Sequence, residues 1–179
     1  SSIRVAPSFP DPNFNNKSAT NRSAAGMVGL CLGEPGLVRY GLEGVNRFVR
    51  GWWLRDGMTS ESAAYGYMTL NGIWRFGDAV HGYTDPKGFE GEDGRIDGYN
   101  TYGDSRYRAV LDGFTTSVMP DLCYGASADD YVHVKMSVET ADIIMSRYDE
   151  TSYRALLTEL CDGDLETTGS EYGLFHRDP

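Results

Sequence analysis

Histidine and cysteine are scarce, with three of each in 179 residues. Cys31, Cys123 and Cys161 are far apart and show no Cys-x-x-Cys spacing. They make neither a complete disulfide framework nor a zinc signature. His81, His133 and His176 are scattered as well, and none has a second histidine at a metal-ligand interval. No Gly-rich phosphate loop and no Gly-x-Ser-x-Gly elbow occurs, which leaves nucleotide binding and serine hydrolysis without a foothold. Asp93, Asp97, Asn100 and Asp104 miss the EF-hand spacing and read as a solvated acidic loop. No apolar run reaches membrane-spanning length, and no alternating run supports a sheet. Neither a metal, a cofactor nor a membrane partner is expected.

Basic residues are also few, 16 Lys and Arg against 26 Asp and Glu, giving a net charge of -10. Such a surface argues against a nucleic acid, whose phosphates need clustered cations. A polyanionic sugar stays open, because a cleft can be locally basic on an acidic body. Arg22, Arg39, Arg47, Arg50 and Arg55 concentrate positive charge in the first third.

What is present is helical periodicity. Residues 1–17, with Pro7, Pro10 and Pro12, read as an extended N-terminal segment, and 18–179 as one helical domain. A first helix from about Ser18 carries Ala24, Met27, Val28 and Cys31 on an apolar stripe, which implies a buried Cys31 thiol. Gly33 and Pro35 end it. A second pattern holds Gly41, Val45, Phe48, Val49 and Trp52, and a third runs from Glu61 to about Val80. Glycine and acid then dominate residues 82–103, a loop length that often marks function or mobility. Further patterns carry Tyr107, Val110, Leu111 and Phe114; Val138, Ala141, Met145 and Tyr148; and Tyr153, Leu156, Leu157 and Leu160. The fold class read from these is mainly all-α, with antiparallel helical hairpins in an incomplete α/α toroid.

The junction at residues 52–65 concentrates chemistry. Asp56-Gly57 is a turn pair, and Ser60 is the expected N-cap of the third helix. Tyr65 then shares a face with Glu61 at i, i+4. Trp52 and Trp53 are adjacent and cannot both face the core from a helix, so one indole is expected to face either a cleft, available for sugar stacking, or the partner helix. The mixture of carboxylates, hydroxyls, phenol and indoles suits a carbohydrate. Each residue also has a plainer reading: Asn21 as a helix cap, Asp56 and Glu61 as turn and first-turn acids, Tyr65 and Tyr67 as packed aromatics. His133, after Asp129-Asp130-Tyr131, is either a residue that reaches a cleft or a solvated side chain.

The order Asn21-Arg22, Leu30-Cys31-Leu32-Gly33-Glu34, Trp53-Leu54-Arg55-Asp56-Gly57, then Glu61-Ser62 and Tyr65, resembles the helical domain of heparinase II/III-like polysaccharide lyases. Val118-Met119-Pro120-Asp121-Leu122 with Tyr124-Gly125 is similar to the family's proline-containing loop. The resemblance covers about residues 15 to 130. It implies β-elimination on a uronic-acid polysaccharide, such as a glycosaminoglycan or alginate, in a secreted or periplasmic setting. It also implies an α/α toroid followed by a β-sandwich, which has no counterpart in these 179 residues, so either they are a fragment of a larger protein or the resemblance is to fold only. Carried over by position, Asn21 would neutralise the substrate carboxylate, Tyr65 would serve as base or acid, and Glu61 would orient partners. Arg22, Trp52, Trp53, Arg55, Asp56, Tyr67 and His133 would bind substrate. Arg22 stands where many relatives have histidine, and the separation of Asn21 from Tyr65 is short for the family. Two other functions fit the residues: an α/α-toroid glycoside hydrolase with Asp56 and Glu61, or a carboxylate of the 118–133 loop, as its acid/base pair; or a non-catalytic module binding glycans or protein.

Overall fold

The structure, a computed structural model, describes residues 15–59, 61–126, 133–148 and 151–164. Among these, six helices carry the fold: α1 (Asn16–Leu32), α2 (Pro35–Gly51), α3 (Ala63–Ala79), α4 (Ser105–Thr116), α5 (Val138–Tyr148) and α6 (Thr151–Leu160). The only strand-like features among them are isolated bridges. The mainly helical reading holds, and no helix among the described residues is long and apolar enough to cross a membrane. The chain divides into two units: residues 1–52 with 68–101, and residues 53–67 with 102–179.

In the first unit, α1 turns an unexpected face inward. Ala19, Ser23, Gly26 and Gly29 are buried, whereas Met27, Val28 and Leu32 are 36, 48 and 60% exposed and Cys31 lies on the surface. The apolar stripe expected to be internal is therefore external. The reason is close helix approach. A Cβ added at Gly41 of α2 would lie 2.7 Å from the Gly26 Cα and 2.8 Å from the Phe76 ring. One added at Gly29 would lie 2.7 Å from the Val38 nitrogen. Only small residues fit, so backbone proximity outweighs side-chain hydrophobicity in choosing the face. The pairings Gly29 with Val38, Gly26 with Gly41 and Arg22 with Gly44 run antiparallel.

The turn between α1 and α2 is tight because Gly33 takes positive φ (68°) and the Glu34 N–H reaches back to the Gly29 carbonyl at 2.9 Å. Pro35 then opens α2, where its missing N–H costs nothing. The inner face of α2 is the one its periodicity predicts: Val38, Leu42, Val45, Phe48 and Val49 are all buried. Each such side chain contributes roughly 1.5–3 kcal/mol relative to exposure.

The Gly- and acid-rich segment after α3 is an ordered arm. The Gly82 N–H donates to the Tyr99 carbonyl (2.6 Å), the Tyr99 N–H to Tyr83 (2.8 Å) and the Asp85 N–H to Ile96 (3.0 Å). A turn closes between Gly91 and Gly94. Thr101, at the base of the arm, donates to the Gly77 carbonyl at 2.6 Å.

In the second unit, the Trp53–Thr59 bridge closes a turn over Asp56-Gly57, with the Leu54 N–H donating to the Met58 carbonyl at 2.7 Å. Gly57 (φ 84°) lies flat against α4: a Cβ at Gly113 would come within 2.6 Å of its carbonyl carbon. Helix α4 buries Tyr107, Val110, Leu111 and Phe114 as its pattern predicts, and Asp104 caps it by accepting from the Arg106 and Tyr107 N–H groups. Helices α5 and α6 pack together and bury Ala141, Met145, Tyr153 and Leu157.

Candidate functional site

A cavity of about 580 Å³ opens in the first unit, between one face of α2 and the arm. Arg39, Glu43, Asn46, Arg47 and Arg50 recur along α2 at intervals of three and four, so they form one polar stripe opposite the buried one. The arm adds Asp93, Ile96 and Tyr99. The Asn46 Oδ1 accepts from the Tyr99 hydroxyl at 3.2 Å and from Arg50 Nη1 at 3.1 Å. That orientation leaves the amide NH₂ of Asn46 as a donor. A guanidinium, an amide and a phenol thus sit together, a set suited to a carboxylate and sugar hydroxyls.

Arg39 ties the cavity wall to the helix. Its Nη2 donates both to the Asp85 carboxylate and to the Gly94 carbonyl. Asp85 is fully buried, and also accepts from the Ile96 N–H (2.6 Å) and the Tyr83 hydroxyl (3.1 Å). Burial acts to raise the Asp85 carboxyl. The hydrogen bonds from Arg39, Ile96 and Tyr83 and the Arg39 charge outweigh it, so its pKa lies below the usual carboxylate range. Farther along α2, Glu43 lies 3.8 Å from Arg22 and 4.0 Å from Arg47.

The residues named from the sequence fall in both units. Asn21 lies in the second turn of α1 and is exposed. It is not the cap: Asn15 is, accepting from the Ser18 N–H at 3.0 Å. Arg22 stacks over the Tyr40 ring at 4.0 Å. Trp52 and Trp53 are 9 and 2% exposed, so both indoles are buried, as a place against a neighbouring helix allows and open sugar stacking does not. Helix α2 ends at Gly51 and the chain turns, which frees the two indoles from the helical geometry that would have separated them.

Tyr65, Glu61, Arg55, Asp56, Tyr67 and His133 belong to the second unit. Helix α3 starts at Ala63, and the Ser62 hydroxyl accepts from the Tyr65 N–H at 3.2 Å. Ser62 therefore does the work expected of Ser60, which lies outside the described residues. Glu61 precedes the helix, exposed, with its N–H on the Thr59 hydroxyl, so the i, i+4 relation to Tyr65 does not form. The Asp56 carboxylate accepts from the Met58 N–H at 3.1 Å, a turn role, and Arg55 is exposed. The Tyr67 hydroxyl joins Ser137 and Thr140 at the start of α5 (2.5 and 3.0 Å), a packing role. His133 is exposed with positive φ (64°), and its neighbours Asp129, Asp130 and Tyr131 lie outside the described residues.

A tyrosine base needs a lowered pKa, and three tyrosines move the other way. Burial raises Tyr83, with Asp85 adding to it; burial and Tyr67 raise Tyr124; and burial, with Asp112 and Asp104 against Arg108, pushes Tyr148 up to about 12. Sequence reading noted Arg39, Arg47 and Arg50 as local charge and Asp93 as part of a solvated acidic loop, but missed Asn46 and Tyr99. The spacing of polar residues on the outer face of α2 was the available signal; the arm's part had none. Among the described residues no group of three acidic, histidine or cysteine side chains gathers as a metal site. No protein-family model matches this chain, and neither does a curated protein or a solved structure.

Proposed function

We propose that this chain acts on an acidic polysaccharide, and that the arginine-lined cavity receives a uronic-acid carboxylate. The observation that carries the reading is local charge. On a chain of net charge -10, three arginines of one helix face line a single cavity with an amide and a phenol. Positive potential focused in a cleft of an acidic protein attracts an anionic ligand without making the whole surface sticky.

The reaction class proposed is β-elimination, on the residue resemblance to heparinase II/III-like lyases, within an α/α toroid built of antiparallel pairs like α1 and α2. A base removes the C5 proton, the electron pair forms the C4–C5 double bond, and the departing oxygen takes a proton. Neutralising the carboxylate stabilises the charge that builds up. The resemblance makes Asn21 the neutraliser, and the capping role that competed for it belongs to Asn15, but Asn21 does not line the cavity, so the two placements of the carboxylate are alternatives. Tyr65, half-buried in the first turn of α3, is the proposed base or acid. One observation favours a binding-only module instead: the cavity lining belongs to the first unit, whereas Tyr65 and Glu61 belong to the second.

Ultraviolet absorbance with a panel of uronic-acid polysaccharides separates the two. Elimination yields an unsaturated, absorbing product, and Tyr65→Phe then lowers the rate by at least about 100-fold. Saturable binding without new absorbance selects the binding module. Neither binding nor absorbance with any panel member removes both.

A further inference from the structure

We infer that the outer face of α1 is a self-association surface, on which a second copy of this chain lays its own α1 antiparallel. No residue of α1 lines the α2–arm cavity, so this surface is separate from that site.

Lys17, Asn21, Ala24, Val28 and Cys31 are all exposed and follow one another at alternating intervals of four and three residues. That spacing lays them along one line of the helix, as in the seam where two helices meet side by side. Met27 and Leu32, also exposed, flank the line and make its C-terminal half apolar. Apolar side chains gathered on one exposed helix face mark a contact surface, whereas scattered ones do not. The opposite face is already committed, since Ala19, Ser23, Gly26 and Gly29 are buried. Met68 of α3 continues the apolar area beside the start of α1, where its sulfur accepts from Asn16 Nδ2 and its side chain is exposed.

Charge and side-chain size point to a second copy as the occupant. Helix α1 carries Lys17 and Arg22 and no acid. Glu34, exposed just past its end, makes no side-chain cap hydrogen bond to α2. Lys17 and Glu34 therefore give the two ends of this surface opposite charge. An antiparallel pair brings each Lys17 to the other copy's Glu34, twice over because a two-fold contact repeats itself. A parallel pair would set Lys17 against Lys17 and align the helix dipoles unfavourably. The point midway between Lys17 and Glu34 falls between Ala24 and Met27. In that register Ala24 of one copy meets Met27 and Val28 of the other, small against large, and Cys31 meets Thr20 and Asn21. One helix face is less than the roughly 800 Å² per partner of a standard interface, so the dimer is weak and reversible.

The experiment is sedimentation velocity on the full chain from micromolar to millimolar concentration, where a reversible monomer–dimer equilibrium is expected. Val28→Glu places a charge at the centre of the seam and is expected to weaken association by at least about tenfold. Val28 is on the surface, so this variant should keep its helical circular dichroism. Lys17→Glu and Glu34→Lys, each alone, set like charges together and are expected to weaken the dimer several-fold, and the two combined to restore it. Labelling of Cys31, fast in dilute solution, is expected to slow as concentration passes the association midpoint. A chain that stays monomeric throughout overturns the inference and leaves the face to a different partner. A dimer that Val28→Glu leaves intact overturns the choice of face. A double swap that fails to restore association overturns the antiparallel pairing.

Discussion

The guanidinium of Arg39 donates to the fully buried carboxylate of Asp85, joining α2 to the arm 46 positions later in the chain. Because the same carboxylate holds the Ile96 N–H and the Tyr83 hydroxyl, one side chain organises the cavity's outer wall.

Acid should therefore loosen this arm. The folded pKa of Asp85 is depressed, so its stabilisation is fully present above the unfolded value, about 3.9. It is lost as pH falls through the lower folded value. Hydrogen exchange at Ile96 and Tyr99 should accelerate below about pH 4 in the wild type. Asp85→Asn should cost about 2 kcal/mol, the scale of a hydrogen bond to a charged group, and flatten that acid limb. Unchanged exchange in the variant would rule out the anchoring role.

The α1–α2 contact makes opposite predictions for two glycines of one helix. Gly41→Ala meets the Gly26 backbone and the Phe76 ring, so it should destabilise by about 1–3 kcal/mol despite alanine's better helix propensity. Gly36→Ala enters open space near the start of α2 and should stabilise by up to about 1 kcal/mol. Thermal midpoints moving in the same direction would contradict the close packing.

Thiol labelling tests which face of α1 is outside. Cys31 is exposed, whereas Cys123 and Cys161 are buried. One cysteine should react quickly in the native chain and all three in denaturant, with Cys31→Ser abolishing the fast phase. A slow Cys31 would restore the inward stripe that hydrophobicity suggests.

Tyr124 is buried, and its hydroxyl has no hydrogen-bond partner among the described residues. Tyr124→Phe removes an unsatisfied polar atom and keeps the ring's edge contact with Phe114, 5.9 Å between centroids. Denaturant unfolding should show equal stability or a gain of up to about 1 kcal/mol. A marked loss would show that the hydroxyl has an internal partner.

Helix identity was legible wherever local periodicity and burial agree. Helices α2 and α4 buried the faces their patterns marked, because Val, Leu and Phe at three- and four-residue intervals leave one low-energy orientation. Helix α1 was legible as a helix but not in its facing. Its glycines and Ala19 carry little hydrophobic signal, and the value of the glycines exists only where Gly29 meets Leu37 and Val38 and where Gly26 meets Gly41 and the Phe76 ring. The junction at residues 52–65 reads as a turn and then a helix that sets Glu61 and Tyr65 on one face, yet the helix starts two residues later than Glu61 and both indoles are buried.

The site divides in the same way. The sequence alone determined its cationic half, since Arg39, Glu43, Asn46, Arg47 and Arg50 share a face of any helix that spans them. It also determined the acidic, glycine-rich character of the arm. Only the tertiary structure decided that the arm lies against that face, that Asp85 balances Arg39, and that Asp93 and Tyr99 complete the cavity. Helical periodicity is a property of neighbours in the chain and can be counted. The meeting of α2 with the arm depends on one buried carboxylate and on glycine turns, whose energies appear only once the chain has folded.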